Sequence, residues 1–280
     1  MGPRIFCIPA LRAPVVAVIR RGPSQWMHVS RWDLDGPSYE PGAWLRATIY
    51  PQRCDLSPDG RWLVYFVLKP SAEWGPGPAY IAISRLPWLT ALAAWGIGST
   101  WTRGMQFLED PSAWQVDEPD EGDLAAVRDR FGLRMTRADS FAVERRRGWT
   151  ETTDTPPRAP DDAWDERRGD RIVMEKVRPG SNGSERLTVR GTYAAIRELH
   201  GIRTDVRYDV HRGDRSILLE DVQWSDWDPR GRLLVATGEG RLQIREFDSP
   251  ASGSGAVAWE ADESAFAPDP APPPVDASVW

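Results

Sequence analysis

Lysine is nearly absent from this chain: only Lys69 and Lys176 occur among its 35 basic residues, the rest being arginine. A GC-rich coding bias accounts for this more simply than selection for guanidinium chemistry. Cysteine is scarce as well. Cys7 and Cys54 have no metal-ligand spacing, which argues against a cysteine metal site; two thiols in a reducing compartment is the simplest reading, with one disulfide left open. His28, His200 and His211 lie too far apart for a recognisable metal triad. No run of 18 uncharged apolar residues exists, so no membrane-spanning helix is expected. The apolar N-terminus is broken by Pro9, Arg12 and Pro14 before it reaches signal-peptide length, and a cytoplasmic location is expected.

Clustered positive charge is missing too. From Glu246 onward there are seven acids and no Lys, Arg or His, so the net charge of −6 resides in the last segment and the rest is close to neutral. No nucleic-acid partner is expected from that distribution, and no membrane partner is expected given the lack of a long apolar run. Cofactor signatures are lacking: Gly96-Ile97-Gly98-Ser99-Thr100 has neither the P-loop lysine nor the third glycine of a dinucleotide fingerprint, and no Gly-x-Ser-x-Gly elbow occurs. Asp33-Leu34-Asp35-Gly36 opens like a calcium loop, yet Glu40 comes too early to close it. No cofactor and no metal are expected.

What is plentiful is tryptophan, with 15 residues in a chain of 280 that is 41% hydrophobic, enough apolar surface to build a large core. The segment Asp55-Leu56-Ser57-Pro58-Asp59-Gly60-Arg61-Trp62-Leu63 reads as strand, tight turn, strand, because Pro presets φ and Asp-Gly supplies the reversal. A second copy runs Asp226-Trp227-Asp228-Pro229-Arg230-Gly231-Arg232-Leu233-Leu234. Weaker copies fall at Gly104, Gly148 and Gly191, giving intervals of 40 to 44 residues from Gly60 to Gly231, and Gly22 lies 38 residues before Gly60. Four short strands with their turns consume roughly 40 to 45 residues, so the spacing is that of a four-stranded propeller blade.

The Ser57-Pro58-Asp59-Gly60-Arg61-Trp62-Leu63 turn resembles that of TolB-type and WD-repeat-type β-propellers, where it joins neighbouring strands of a blade. That resemblance implies an all-β propeller of about five to six four-stranded blades over residues 1–248. In the last blade the expected strands are Asp221–Ser225, Arg232–Thr237, Arg241–Phe247 and, as the outer one, Ala256–Glu260. Val15–Arg20 and Trp26–Trp32 form an expected hairpin, and Tyr80–Ser84 with Leu89–Trp95 complete the second blade. Two interruptions stand out, a short amphipathic helix over Asp123–Arg130 and an exposed Pro-rich loop over 151–170.

Residues 249–280 are rich in Pro, Ala, Ser and acid and are expected to be a flexible tail. Trp259, Phe266 and Trp280 are its candidate partner-binding residues, since isolated aromatics can dock in a partner's groove; alternatively Trp259 belongs to the outer strand and the other two do nothing. His28 reads as a structural imidazole. The carboxylate pairs Asp117-Glu118, Asp120-Glu121 and Asp161-Asp162 read as solvated charge, while Asp226 and Asp228 read as turn-fixing acceptors. Trp62, Trp224 and Trp227 are expected to pack between blades. The function expected is a protein-binding scaffold without catalytic activity. A propeller-type hydrolase or lyase with acids drawn from several loops, and a TolB-like envelope accessory, remain alternatives.

Overall fold

The structure is a computed structural model that describes residues 4–69, 76–97, 104–107, 135–137, 141–152, 170–181, 187–197, 202–247 and 254–278. It is all-β. A first sheet contains β1 (Arg4–Pro9), β2 (Val15–Arg21), β3 (Trp26–Asp33) and β4 (Ser38–Arg46) in chain order. A second contains β5 (Thr48–Ile49), β6 (Asp55–Leu56), β7 (Trp62–Leu68), β8 (Ala79–Arg85) and β9 (Ala93–Gly96), with β5 and β6 both paired to β7. Next come the paired strands β10 (Met105–Phe107) and β11 (Met135–Arg137), then a one-turn helix, α1 (Ala142–Arg146). A five-stranded sheet follows, made of β12 (Thr150–Glu151), β13 (Asp170–Val177), β14 (Leu187–Arg197), β15 (Ile202–Arg212) and β16 (Arg215–Leu219). The last sheet holds β17 (Val222–Trp227), β18 (Leu233–Thr237), β19 (Arg241–Glu246) and β20 (Ala256–Asp262).

Burial follows the same gradient in three of these sheets. The second strand is covered on both sides: Val15–Arg20 of β2, Trp62–Val67 of β7 and all of β18 are buried. Such strands need unbroken apolar runs rather than alternation, which is what VVAVI, WLVYFV and LLVA supply. The fourth strands β4 and β20 carry mostly exposed or half-exposed positions, as edges do. Inside the second sheet the core gathers Trp62, Val64, Phe66, Ile81, Ile83 and Trp95, with Met105 and Phe107 of β10 packed on them. Arg53 is buried between the Tyr50 and Phe66 rings, its guanidinium carbon 4.8 and 4.7 Å from their centres, and desolvation lowers its pKa.

The chain divides into two compact units. One comprises Met1–Phe6, Glu144–Glu198 and Ile202–Phe266; the other comprises Cys7–Val143, Leu199–Gly201 and Ala267–Trp280.

Several sequence expectations hold and others need correction. The hairpin over β2 and β3 pairs Val15 with Asp33 and Arg21 with Met27, and β17 to β20 fall where the last blade was expected. Gly60, Gly104, Gly148 and Gly231 all have positive φ (73 to 87°) and each stands one or two residues ahead of a strand. Gly191 differs: it lies inside β14, paired with Met174 and Tyr208, so no reversal occurs there. The sheets are also not uniformly four-stranded, since sizes of two and five occur. Asp123–Arg130 lies outside the described residues, and the described helix is α1 instead. The segment expected to be flexible has defined structure over 254–278. Beyond β20 it forms 3-10 turns at Glu263–Ala265 and Val275–Ser278, fixed by burial of Glu263 and Ala277.

Candidate functional site

The two strong turn copies prove to be the same device built from different side chains. In the second sheet the Gly60 N–H donates to the Ser57 carbonyl at 2.9 Å, and Ser57 Oγ accepts from the Trp62 and Arg61 amides at 2.9 and 3.2 Å. In the last sheet the Gly231 N–H donates to the Asp228 carbonyl at 2.9 Å, and Asp228 Oδ1 accepts from the Arg230 and Arg232 amides at 2.9 and 2.8 Å. Asp228 Oδ2 also receives Arg232 Nε at 2.7 Å. A short acceptor side chain that ties amides beyond a proline is the usual way to lock such a reversal.

Five residues before each of these glycines stands a fully buried aspartate. Asp55 Oδ2 accepts the backbone N–H of Phe107 in β10 at 2.9 Å. Asp226 Oδ1 accepts Lys176 Nζ of β13 at 2.7 Å, the Trp149 indole N–H at 3.2 Å and the Trp227 amide at 2.7 Å. In each case a carboxylate on the strand just before the turn takes a donor from a neighbouring sheet. Reciprocally, Lys176 Nζ donates to the Trp227 carbonyl at 3.0 Å and the Trp227 indole N–H donates to the Lys176 carbonyl at 3.1 Å. Burial raises the Asp226 pKa, with Lys176 pulling it down less strongly. Next to this cluster, Arg178 Nε donates to the Gly231 carbonyl at 2.7 Å, holding the turn against the end of β13.

Asp226 and Asp228, weighed as members of a converging acid set, are thus occupied as acceptors. Asp117-Glu118, Asp120-Glu121 and Asp161-Asp162 lie outside the described residues. His28 is fully buried and stacks on Trp44 at 4.4 Å, with the Arg20 guanidinium 5.0 Å from the same ring. His211 is half-buried in β15, opposite Thr188 and Ser216, and His200 lies outside the described residues. Asp33 is held by Arg31 in a bidentate pair at 2.8 and 2.7 Å. Among the described residues no group of three His, Cys, Asp or Glu side chains could hold a metal. No helix among them is long and apolar enough to cross a membrane.

The predicted partner-binding residues are not brought together. Trp259 sits half-buried in β20 opposite Ile244, as the outer strand of its sheet. Phe266 closes the 3-10 turn at Glu263–Ala265, half-buried, with its N–H directed to the Glu263 carbonyl at 3.4 Å. Trp280 lies outside the described residues. The acids around Trp259 are tied to the sheet. Glu260 accepts Gln243 Nε2 at 2.6 Å, and Asp262 meets Arg241 at 3.0 Å while capping the Ser264 amide at 2.9 Å. The Ser264 hydroxyl, chiefly, lowers the Asp262 pKa.

Sequence reasoning missed Lys176 and Trp149 as partners of Asp226. The one available signal was rarity: Lys176 is one of two lysines in an arginine-rich chain. Its site, reached by a slim stem and asking for a compact three-donor head, suits an ammonium better than a planar fork.

No known family model matches the chain, and no curated protein sequence does. Several solved structures resemble it distantly. An uncharacterised Listeria monocytogenes protein is 11% identical over 93% of this chain and 84% of its own, with a TM-score of 0.29. A Bacteroides fragilis protein assigned as a 6-phosphogluconolactonase is 9% identical over 92% and 96%, with a TM-score of 0.33. The Swd1 β-propeller domain of Myceliophteria thermophila is 11% identical over 94% and 76%, with a TM-score of 0.24. Likenesses this distant do not bear on what the chain does.

Proposed function

We propose that the chain is a propeller-type scaffold that binds other proteins and carries no catalytic activity of its own. The observation that carries this reading is the repeated unit at Asp55–Gly60 and Asp226–Gly231, in which a buried aspartate reaches a neighbouring sheet and a left-handed glycine leads into a fully buried second strand. Repetition of one sheet-sized unit with a buried strand at one end and exposed strands at the other is how apolar sheets stack around an axis. The Ile5 N–H donates to Gln223 Oε1 at 2.9 Å, which links β1 to β17 within one unit.

For an enzyme reading the strongest carboxylates are Asp226 and Asp228, and Asp226 Oδ1 is committed to Lys176, Trp149 and the Trp227 amide while both oxygens of Asp228 are committed to Arg232 and backbone amides. A scaffold instead uses exposed loops and edges, leaving the polar interior to hold the sheets in register. The test is recovery by affinity capture from native extract under reversible cross-linking. A partner recovered in stoichiometric amount is expected, and repeated recovery of the chain alone would overturn the proposal.

A further inference from the structure

In the stretch 267–274, of sequence APDPAPPP, five of the eight residues are proline. Ala267, Asp269, Ala271, Pro272 and Pro273 each precede a proline, so sterics hold them extended, and every proline fixes its own φ. Positions 269 to 276 are all exposed. Val275, directly after the prolines, is 90% exposed, the largest value among the exposed large hydrophobic residues described. The C-terminal end of this stretch is anchored in its own unit. Ala277 is fully buried, its N–H donates to the Pro274 carbonyl at 3.0 Å, and Arg85 Nη1 of β8 donates to the Asp276 carbonyl at 3.1 Å.

These properties define what could bind there. Prolines have no N–H, so the stretch cannot join a sheet as an ordinary strand and offers carbonyl acceptors with ridged apolar rings between them. A complementary surface must supply donors together with flat apolar faces, which is what tryptophan and tyrosine side chains do in one residue. Asp269 and Asp276 flank the apolar run, and since Asp276 already meets Arg85 Nη1 at 3.6 Å, it is Asp269 that asks for a basic rim on that surface. The proline-rich backbone is already restricted, with the Ala271 N–H turned onto the Asp269 carbonyl at 2.8 Å, and one end is already fixed, which reduces the entropy lost on binding.

We infer that Asp269–Asp276 is a recognition segment for a proline-binding protein module whose groove is lined by Trp or Tyr and edged by Lys or Arg. This rests on the scaffold reading and places its contact in this segment rather than at Trp259 or Phe266.

The test uses the full chain on beads, a Pro272→Ala/Pro273→Ala variant and a Val275→Asp variant, with a synthetic peptide of residues 267–276 as competitor. Native extract is applied, and bound proteins are identified, purified and measured singly. All three changes lie at exposed positions, so equal thermal unfolding of the three chains is the control on folding. The inference expects a captured protein with an aromatic groove, released by the peptide and bound at least about tenfold more weakly by both variants. A partner held equally by all three chains and not displaced by the peptide overturns the inference while leaving the scaffold reading standing. No partner on the unaltered chain defeats both.

Discussion

Lys176 Nζ lies 2.7 Å from Asp226 Oδ1, an ion pair in which the carboxylate side chain is 3% exposed and the ammonium 15%. Lys176→Met would leave the carboxylate buried without its cation, a change expected to cost about 3–5 kcal/mol in urea unfolding. Adding Asp226→Asn should restore much of that loss, because the amide oxygen still accepts from Trp149 and the Trp227 amide. A double variant less stable than Lys176→Met alone would contradict the assignment of the pair.

The same carboxyl gives the protein a defined pH dependence. Burial holds the folded Asp226 pKa above its ordinary 3.8. The folded state therefore binds that proton more readily than the unfolded chain, so the contribution is fully present below about 3.8 and is lost as pH rises through the folded value. The unfolding free energy of the unaltered chain minus that of Asp226→Asn should fall from pH 4 to pH 7. A difference that climbs over this range would mean that the pull of Lys176 outweighs burial.

Asp55 should act on one distant amide. Its carboxylate receives the buried Phe107 N–H, and Asp55→Ala leaves that donor unsatisfied at a cost of about 1–3 kcal/mol. Hydrogen exchange at Phe107 should accelerate more than exchange within β8. Unchanged protection at Phe107 would show that Asp55 does not hold this amide.

Alanine at three left-handed glycines should rank by what the new methyl meets. Gly36 has nothing within 4 Å, an added Cβ at Gly60 would stand 2.9 Å from Val15 Cβ, and one at Gly104 would collide with the Arg53 carbonyl. The left-handed backbone itself costs about 1–2 kcal/mol at each. Urea midpoints should therefore drop least for Gly36→Ala, more for Gly60→Ala and most for Gly104→Ala. Equal losses at all three would show that contacts at these turns do not matter.

Thiol chemistry should report global unfolding. Cys54 and Cys7 are buried thiols, and desolvation pushes the Cys54 thiol up to about 12. Neither should react with a disulfide reagent at pH 8 on the timescale of unfolded controls, and labelling should follow the unfolding rate. Rapid labelling of Cys54 in the folded chain would refute its burial.

The turns at Ser57–Arg61 and Asp228–Arg232 were readable in the sequence because a proline, a short acceptor and a glycine within five residues determine them locally. The strands that follow were readable for the same reason, their apolar runs being contiguous. Spacing alone carried less: Gly148 does precede a strand at positive φ, yet Gly191 at an equally regular interval lies within one. The ion pair of Lys176 and Asp226 joins positions 50 residues apart, and no local pattern marks which arginine-rich strand supplies the lysine. In residues 263–278 composition speaks for average solvation and so leaves out Glu263 and Ala277, which occupy single burial sites.

Each sheet of four or more strands draws on one uninterrupted stretch of chain, so each can assemble as its residues emerge, without loop closure across the molecule. The amide of Ile5 is an exception, since its acceptor Gln223 lies 218 positions later and the first six residues join a unit that otherwise begins at Glu144. The four sheets thus form locally, whereas the Ile5 contact waits until Gln223 has been made, so that one hydrogen bond belongs to a later step of assembly than the strand pairings around it.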